Sequence, residues 1–170
     1  MARTFEEVAG AELDGLWAGA LFLVAGDEDR ARRLVETTLV RAAAVFVCRA
    51  RDEAPGAWLM DRMVRAFLAE DAVDGGSPPY PERGRGRGPG SSPPPDPLHQ
   101  AAGATPPRAR AALWLVLFRR RSYADAQAVL GVERAELATL VEAQAELHRV
   151  YRALLTAADP VASDGRRELR

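Results

Sequence analysis

The sequence has no lysine, isoleucine or asparagine, so all 23 of its basic residues are arginines. Together with 14 glycines and 12 prolines, these absences are typical of a chain encoded in a GC-rich genome, and composition alone therefore says little about the fold. The 24 acidic residues bring the net charge to -1, which excludes a chain-wide electrostatic attraction to nucleic acid.

Cysteine and histidine are almost absent, which excludes several kinds of site. Cys48 is the only cysteine, so no disulfide framework or cysteine-based metal site exists. Its apolar neighbours predict a buried packing thiol rather than a reactive one. His99 and His148 are isolated from other potential metal ligands. We therefore predict no catalytic residue, no metal and no cofactor, and an enzyme or small-molecule binder on this scaffold has no side-chain constellation to support it.

Long hydrophobic runs are also lacking. The apolar run at residues 15–26 covers about 12 residues, which is too short to cross a bilayer. Acidic residues precede it, where a signal peptide needs positive charge. We expect a soluble, cytoplasmic protein without membrane insertion.

Apolar residues recur at helical spacing in two stretches of the chain. Residues 5–72 predict three helices, with corners at Gly26-Asp27 and Pro55-Gly56. Trp17 and Trp58 in this stretch, and Trp114 in the second stretch, are predicted to lie in the core. Residues 73–104 hold most of the prolines and predict a flexible linker. Residues 105–157 predict further helices, and residues 158–170 a loose tail. The predicted fold class is all-α, with two small helical units joined by a Pro/Gly-rich linker.

Residues 122–149 have the rhythm of a helix-turn-helix. A short helix begins at Ser122, Gly131 breaks it, and a second helix runs on from Glu133. Such a motif presents its second helix to the DNA major groove. Here that helix carries acidic residues at Glu133, Glu136, Glu142 and Glu146. Acidic side chains repel phosphate, so the pattern predicts the fold of a DNA reader without its usual surface.

Several segments, in order and spacing, resemble the extracytoplasmic-function sigma factors of bacterial RNA polymerase. WLMDRMVRAFLAE is similar to that family's WLYRIARNLALD. PPRARAALWLVLFRRRSYADAQAVLGV is similar to its LPPRQREVLLLRYLEGLSYEEIAEILGI, with the Pro-Pro-Arg-x-Arg opening, the Ser-Tyr pair and the Leu-Gly-Val corner in register. LFLVAGDEDRARRLVETTLVRAAAVF looks like the family's helix pair around a Gly-Asp corner. The resemblance covers most of residues 10–157 outside the linker.

The resemblance implies that the first unit binds the polymerase and melts the -10 promoter element, and that the second unit reads the -35 element. It places the polymerase-binding surface on the second helix, at Leu34, Val35, Thr38 and Arg41. It also places Arg62 and Arg65 near promoter DNA, although a solvated helix face explains these two arginines equally well.

The chain departs from the family pattern where charge matters. The family's acidic DAED is replaced by residues 30–33, RARR, which inverts the charge at a docking surface. The family's basic GTVKSRLHRAR is replaced by residues 135–145, AELATLVEAQA. These changes remove the side chains that read bases and contact phosphates.

Basic charge remains mainly upstream of the motif. Residues 104–121 carry +5, from Arg108, Arg110, Arg119, Arg120 and Arg121. One interpretation is phosphate contact, or docking to an acidic partner; the other is a solvated helix end. We take Arg119, Arg120 and Arg121 as candidate DNA-binding residues, with Arg134 and Arg149. RGRGRG in the linker is either a contact for single-stranded nucleic acid or a plain solubilising segment.

Two functions follow. The chain is predicted to control bacterial transcription initiation through core RNA polymerase, with degraded promoter-reading residues. Alternatively it is a sigma-like regulator that binds an anti-sigma factor, another sigma factor or the polymerase and does not read DNA. Promoter DNA is a partner only in the first case. The linker length and balanced charge also suggest that the two units close on each other and hide the polymerase-binding face.

Overall fold

The computed structural model describes residues 4–48, 54–73 and 96–131, and also residues 145, 148, 149, 151 and 152. Its helices are α1 (Phe5–Leu23), α2 (Glu28–Ala43), α3 (Pro55–Val73), α4 (Pro97–Gly103), α5 (Pro107–Leu113) and α6 (Tyr123–Leu130). A 3₁₀ turn covers Phe46–Cys48, and a π-helical turn covers Trp114–Phe118. No strand occurs in the described residues, and the predicted all-α fold class is confirmed.

Side-chain caps begin the first helices. The Thr4 hydroxyl accepts from the Glu7 backbone N–H at 3.3 Å, and the Glu7 carboxylate accepts from the Thr4 N–H at 2.9 Å. This reciprocal capping box satisfies two backbone donors that the helix itself leaves open. Asp27 caps α2 by accepting from the Arg30 N–H at 3.0 Å. Pro55 begins α3 instead of lying in the predicted turn, because proline fits the first helical position.

The corner between α1 and α2 uses two residues in the left-handed region. Ala25 has φ +57° and Gly26 has φ +84°. The Gly26 N–H donates to the Leu21 carbonyl at 2.7 Å, which closes the end of α1. A Cβ at Gly26 would also lie 3.0 Å from Cβ of His99 in α4. Glycine therefore serves both the turn and the close approach of α4.

The first three helices pack around large apolar side chains, and aromatic rings close one end. Phe46 lies edge-on between Phe5 and Trp58, with ring centroids 5.4 and 5.8 Å apart. Turning Phe46 inwards leaves the next two residues outside, with Val47 90% exposed. Cys48 is exposed, so the predicted buried thiol is wrong. The apolar neighbours misled the prediction because Val45 and Phe46 pack against the core, whereas the chain turns Val47 and Cys48 away from it.

The later helices pack on the first three instead of standing apart. α4 and α5 lie against α1, while α5 and α6 lie against α3. Trp58 and Trp114 are buried and Trp17 packs against the core, which confirms the core role predicted for all three. The described helices thus share one continuous hydrophobic core, which also includes side chains from α4, α5 and α6.

The predicted end of the linker at residue 104 needs a correction. Residues 97–103 form α4, and residues 101–103 are buried. Asp96 accepts from the Leu98 N–H at 2.7 Å, and Pro97 follows it at the first helical position. The Asp-Pro pair belongs to a helix start, where the fixed φ of proline is favourable. Thr105 donates its hydroxyl to the Ala101 carbonyl at 3.1 Å, and α5 begins without a side-chain cap.

The first half of the predicted helix-turn-helix is present. Ser122 caps α6 by accepting from the Asp125 N–H at 3.1 Å. Gly131 follows α6 at φ +64°, and its N–H donates to the Gln127 carbonyl. The start of the second helix at Glu133 lies outside the described residues. Residues 145, 148, 149, 151 and 152 are helical, and Tyr151 packs against the core.

Two glycines of α1 allow a matched test of the packing. A Cβ at Gly19 would lie 2.7 Å from Trp114 Cζ2 and 2.8 Å from Met63 Cε, whereas a Cβ at Gly10 would meet open space. We expect Gly19→Ala to lower the free energy of unfolding by about 1–3 kcal/mol through overpacking. Gly10→Ala should raise it by up to about 1 kcal/mol through helix propensity. Urea denaturation measures both, and a stabilised Gly19→Ala protein contradicts the packing described here.

Candidate functional site

The junction between α1, α3 and the segment after α5 gathers most of the unusual features of the molecule. α5 does not end in a regular cap but continues into the π-helical turn Trp114–Phe118. The Arg119 N–H donates to the Trp114 carbonyl at 3.1 Å, which gives the wide i to i+5 spacing of such a turn. π-helical turns are rare and are often found at functional sites.

The π-helical turn directs two aromatic rings onto α1. Trp114 and Phe118 stack with centroids 4.9 Å apart, and Phe22 of α1 lies 5.8 and 5.1 Å from them. Trp114 also lies over Gly19, where only a hydrogen atom fits. The aromatic cluster thereby joins the first and second units through an apolar contact of high shape specificity.

Beyond the aromatic cluster, two of three consecutive arginines bind acidic groups of the first unit. Arg121 pairs with Asp61 of α3 at 2.7 Å, and both side chains are partly buried. Arg119 pairs with Glu12 of α1 at 3.7 Å. An open cleft of about 340 Å³ adjoins the second pair, lined in part by Gly56. Water and solutes therefore reach the Arg119–Glu12 pair directly.

Arg120, between the two paired arginines, has an unusual backbone. Its φ is +51°, in the left-handed region, and its side chain is exposed. A non-glycine residue in this region costs free energy and persists only when its surroundings impose it. Here the Arg121 N–H donates to the Leu115 carbonyl at 3.0 Å, so a backbone hydrogen bond at the helix end holds Arg120 in this conformation.

Arg110 of α5 makes the buried polar contact between the units. Its guanidinium donates to the Leu23 carbonyl at the end of α1 at 2.6 Å, and it lies 5.7 Å from the centre of the Phe67 ring. Burial lowers the pKa of Arg110 to about 10, Asp71 opposes that shift, and Arg30 adds to it. The guanidinium stays protonated at neutral pH, so a positive charge is buried against the negative end of the α1 dipole.

Some polar atoms at this junction are buried without a hydrogen-bond partner in the described structure. They include Trp114 Nε1, Arg110 Nε and Asp61 Oδ1. A buried unpaired donor or acceptor costs about 1–3 kcal/mol, because water satisfied it before burial. The junction thus combines a specific apolar contact with polar groups that water would satisfy better.

The candidate DNA-binding arginines are not one surface. Arg119 and Arg121 are paired as described, and Arg120 is exposed beside them. Arg62 stacks 4.6 Å over the Trp58 ring, whereas Arg65 on the same helix is exposed. Arg149 is exposed, and Arg134 lies outside the described residues. The sequence analysis left open an acidic partner for this basic cluster. For Arg119 and Arg121 that partner is a carboxylate of the same chain.

Three of the four candidate polymerase-binding residues face the core. Leu34, Val35 and Thr38 are buried where α2 packs on α1 and α3, and only Arg41 is exposed. An amphipathic helix buries its apolar side, so the residues of α2 that a partner meets are the opposite ones. They are Arg32, Arg33, Glu36, Val40, Arg41 and Ala43. Val40 is 72% exposed and is the largest apolar group among them.

Sequence analysis did not identify the acidic residues or the glycines that contribute to this junction. Glu12 and Asp61 are two among several charged residues on their helices, and Gly15 and Gly19 lie one turn apart inside α1. A glycine inside a helix is unfavourable, which was a signal that something packs closely there. In the described residues no group of metal ligands occurs, and no helix is long and apolar enough to cross a membrane.

A matched pair of arginines in α5 tests the buried contact. Arg110→Ala should lower the free energy of unfolding by about 2–3 kcal/mol, because the Leu23 carbonyl loses its donor and a cavity opens. Arg108→Ala changes an exposed arginine of the same helix and should change stability by less than about 0.5 kcal/mol. Thermal and urea unfolding measure the difference. Equal effects of the two substitutions would contradict the role of Arg110.

The fold is similar to that of a sigma factor of known structure. That structure contains the sigma factor RpoE in complex with the anti-sigma factor NepR from Bartonella quintana. The similarity has a TM-score of 0.66 at 23% sequence identity, and covers 87% of this chain and 96% of that one. No protein-family model and no curated protein matches the sequence. The chain therefore has the all-α fold of a sigma factor, as the resemblance in sequence implied.

Proposed function

We propose that this protein is a sigma-like regulator of bacterial transcription that acts through core RNA polymerase. The observation that carries the proposal is the extent of the fold similarity, which covers both helical units and nearly the whole of the compared sigma factor. The sequence motifs at both units support the same proposal independently. A sigma-like protein of this kind works in the cytoplasm, where the polymerase is.

The exposed face of α2 is the proposed polymerase contact. Arg41 belongs to the set implied by the family resemblance and is exposed, and Val40 beside it offers an apolar group. Leu34, Val35 and Thr38 then position this face from inside the core rather than touching the polymerase. Arginine is enriched among the residues that dominate binding energy at protein interfaces, and Arg41 lies here beside an exposed apolar group.

A second candidate function is a protein–protein regulator that does not read DNA. Two observations favour it. The compared sigma factor is bound to an anti-sigma factor, which makes an anti-sigma factor a plausible partner class for this chain. In addition, Arg119 and Arg121 are paired with carboxylates of the chain itself, so they do not present free charge to DNA.

Binding to core RNA polymerase, followed by a transcription assay on the complex, distinguishes the two. We expect the purified protein to co-elute with core enzyme from a sizing column at moderate salt, and Val40→Glu to weaken that binding about tenfold or more. Ala128→Glu adds the same charge at an exposed position of α6 and should leave binding unchanged. Core enzyme alone and protein alone give the reference elution volumes.

The outcome assigns the function. Co-elution together with specific transcription from a promoter near its own gene supports an initiating sigma-like protein. Co-elution without transcription supports a regulator that occupies the polymerase. Separate elution contradicts the proposed polymerase contact and directs attention to anti-sigma and sigma proteins as partners.

A further inference from the structure

We propose that Glu12 and Asp61 are internal competitors of DNA phosphate, which occupy Arg119 and Arg121 and so keep a DNA-binding segment, residues 119–121, closed. This inference deepens the proposed function, because it names what controls one DNA-contacting surface of a sigma-like protein. It depends only on the described contacts between the units, so it can fail or succeed independently of polymerase binding.

Charge and geometry support the competition. Guanidinium groups bind carboxylate and phosphate oxygens through the same planar set of N–H donors. Arg121 already uses Nη2 on Asp61 at 2.7 Å, and Arg119 uses Nη2 on Glu12 at 3.7 Å. The two acidic residues come from different helices, α1 and α3. A phosphate at either arginine therefore replaces a contact between the two units.

The closed segment also contains an unfavourable feature that opening relieves. Asp61 Oδ1 is buried without a hydrogen-bond partner in the described structure. Release of the segment lets water reach Asp61. The closed state thus depends on ion pairs that a phosphate can replace, in addition to the packed core.

Arg120 is the residue of the segment at which DNA makes its first contact. Arg120 is exposed in the closed state, so DNA can begin to bind there before the flanking pairs separate. Three adjacent arginines then neutralise neighbouring phosphates, which favours binding that depends on salt and not on base sequence. Duplex DNA binding and closure of this segment exclude each other, and each ligand of the arginines weakens the other by the same factor.

Neutralising the two competitors tests the inference. We expect the double variant Glu12→Gln, Asp61→Asn to bind a fluorescein-labelled mixed-sequence duplex about tenfold more tightly than the unaltered chain, measured by anisotropy at fixed low salt. Adding Arg119→Gln and Arg121→Gln to the double variant should remove that gain. The full chain is used throughout, and circular dichroism confirms that each variant is folded.

The control separates competition from a general change in charge. Asp14→Asn with Glu36→Gln removes the same two negative charges from exposed positions of α1 and α2. This pair should raise affinity for the duplex by less than about twofold. An equal gain in the control, or no gain in the Glu12, Asp61 variant, overturns the inference.

A second variant keeps the test decisive if the first does not fold. In the otherwise unaltered chain, Arg119→Gln with Arg121→Gln should change duplex affinity by less than about twofold, because both arginines are already occupied. A loss greater than about fivefold would show that the arginines contact DNA freely, and that Glu12 and Asp61 do not compete with phosphate.

Discussion

The contact of Trp114 with Gly19 is the constraint on which the relation between the two units depends. The ring fits only because α1 has no Cβ at that position. The same approach brings Arg110 to the Leu23 carbonyl and sets Phe118 against Phe22. Shape specificity therefore comes from the apolar contact, and the ionic contacts at Glu12 and Asp61 follow from it.

This arrangement gives the arginines upstream of the helix-turn-helix a structural role. Arginines near the end of a helix are usually read as a DNA surface or as solvated groups. Here two of them contribute to the contact between units, and a third is buried beside the end of α1. Closure of the two units and binding of an external anion would therefore draw on the same arginines.

Sequence analysis predicted most of the helices and several of their ends, because periodicity, the Gly26-Asp27 corner, Ser122 and Gly131 are local signals. It missed α4 because an Asp-Pro helix start inside proline-rich sequence looks like more linker. The family resemblance gave Leu34, Val35 and Thr38 as candidate contact residues, and their burial was not foreseen because a resemblance in sequence does not show which side of α2 faces the core. Sequence analysis could not predict the partners of Arg119 and Arg121, because these partners lie 107 and 60 residues away in the chain.

The most direct test of the closed arrangement is one distance between spin labels in the free protein. Cys48 is exposed and is the only cysteine, so it accepts one label, and Ala128→Cys in α6 provides the second. The account predicts a single narrow distance distribution, because α6 packs on α3. A broad distribution extending to long distances would show units that move independently, and would contradict the closed arrangement.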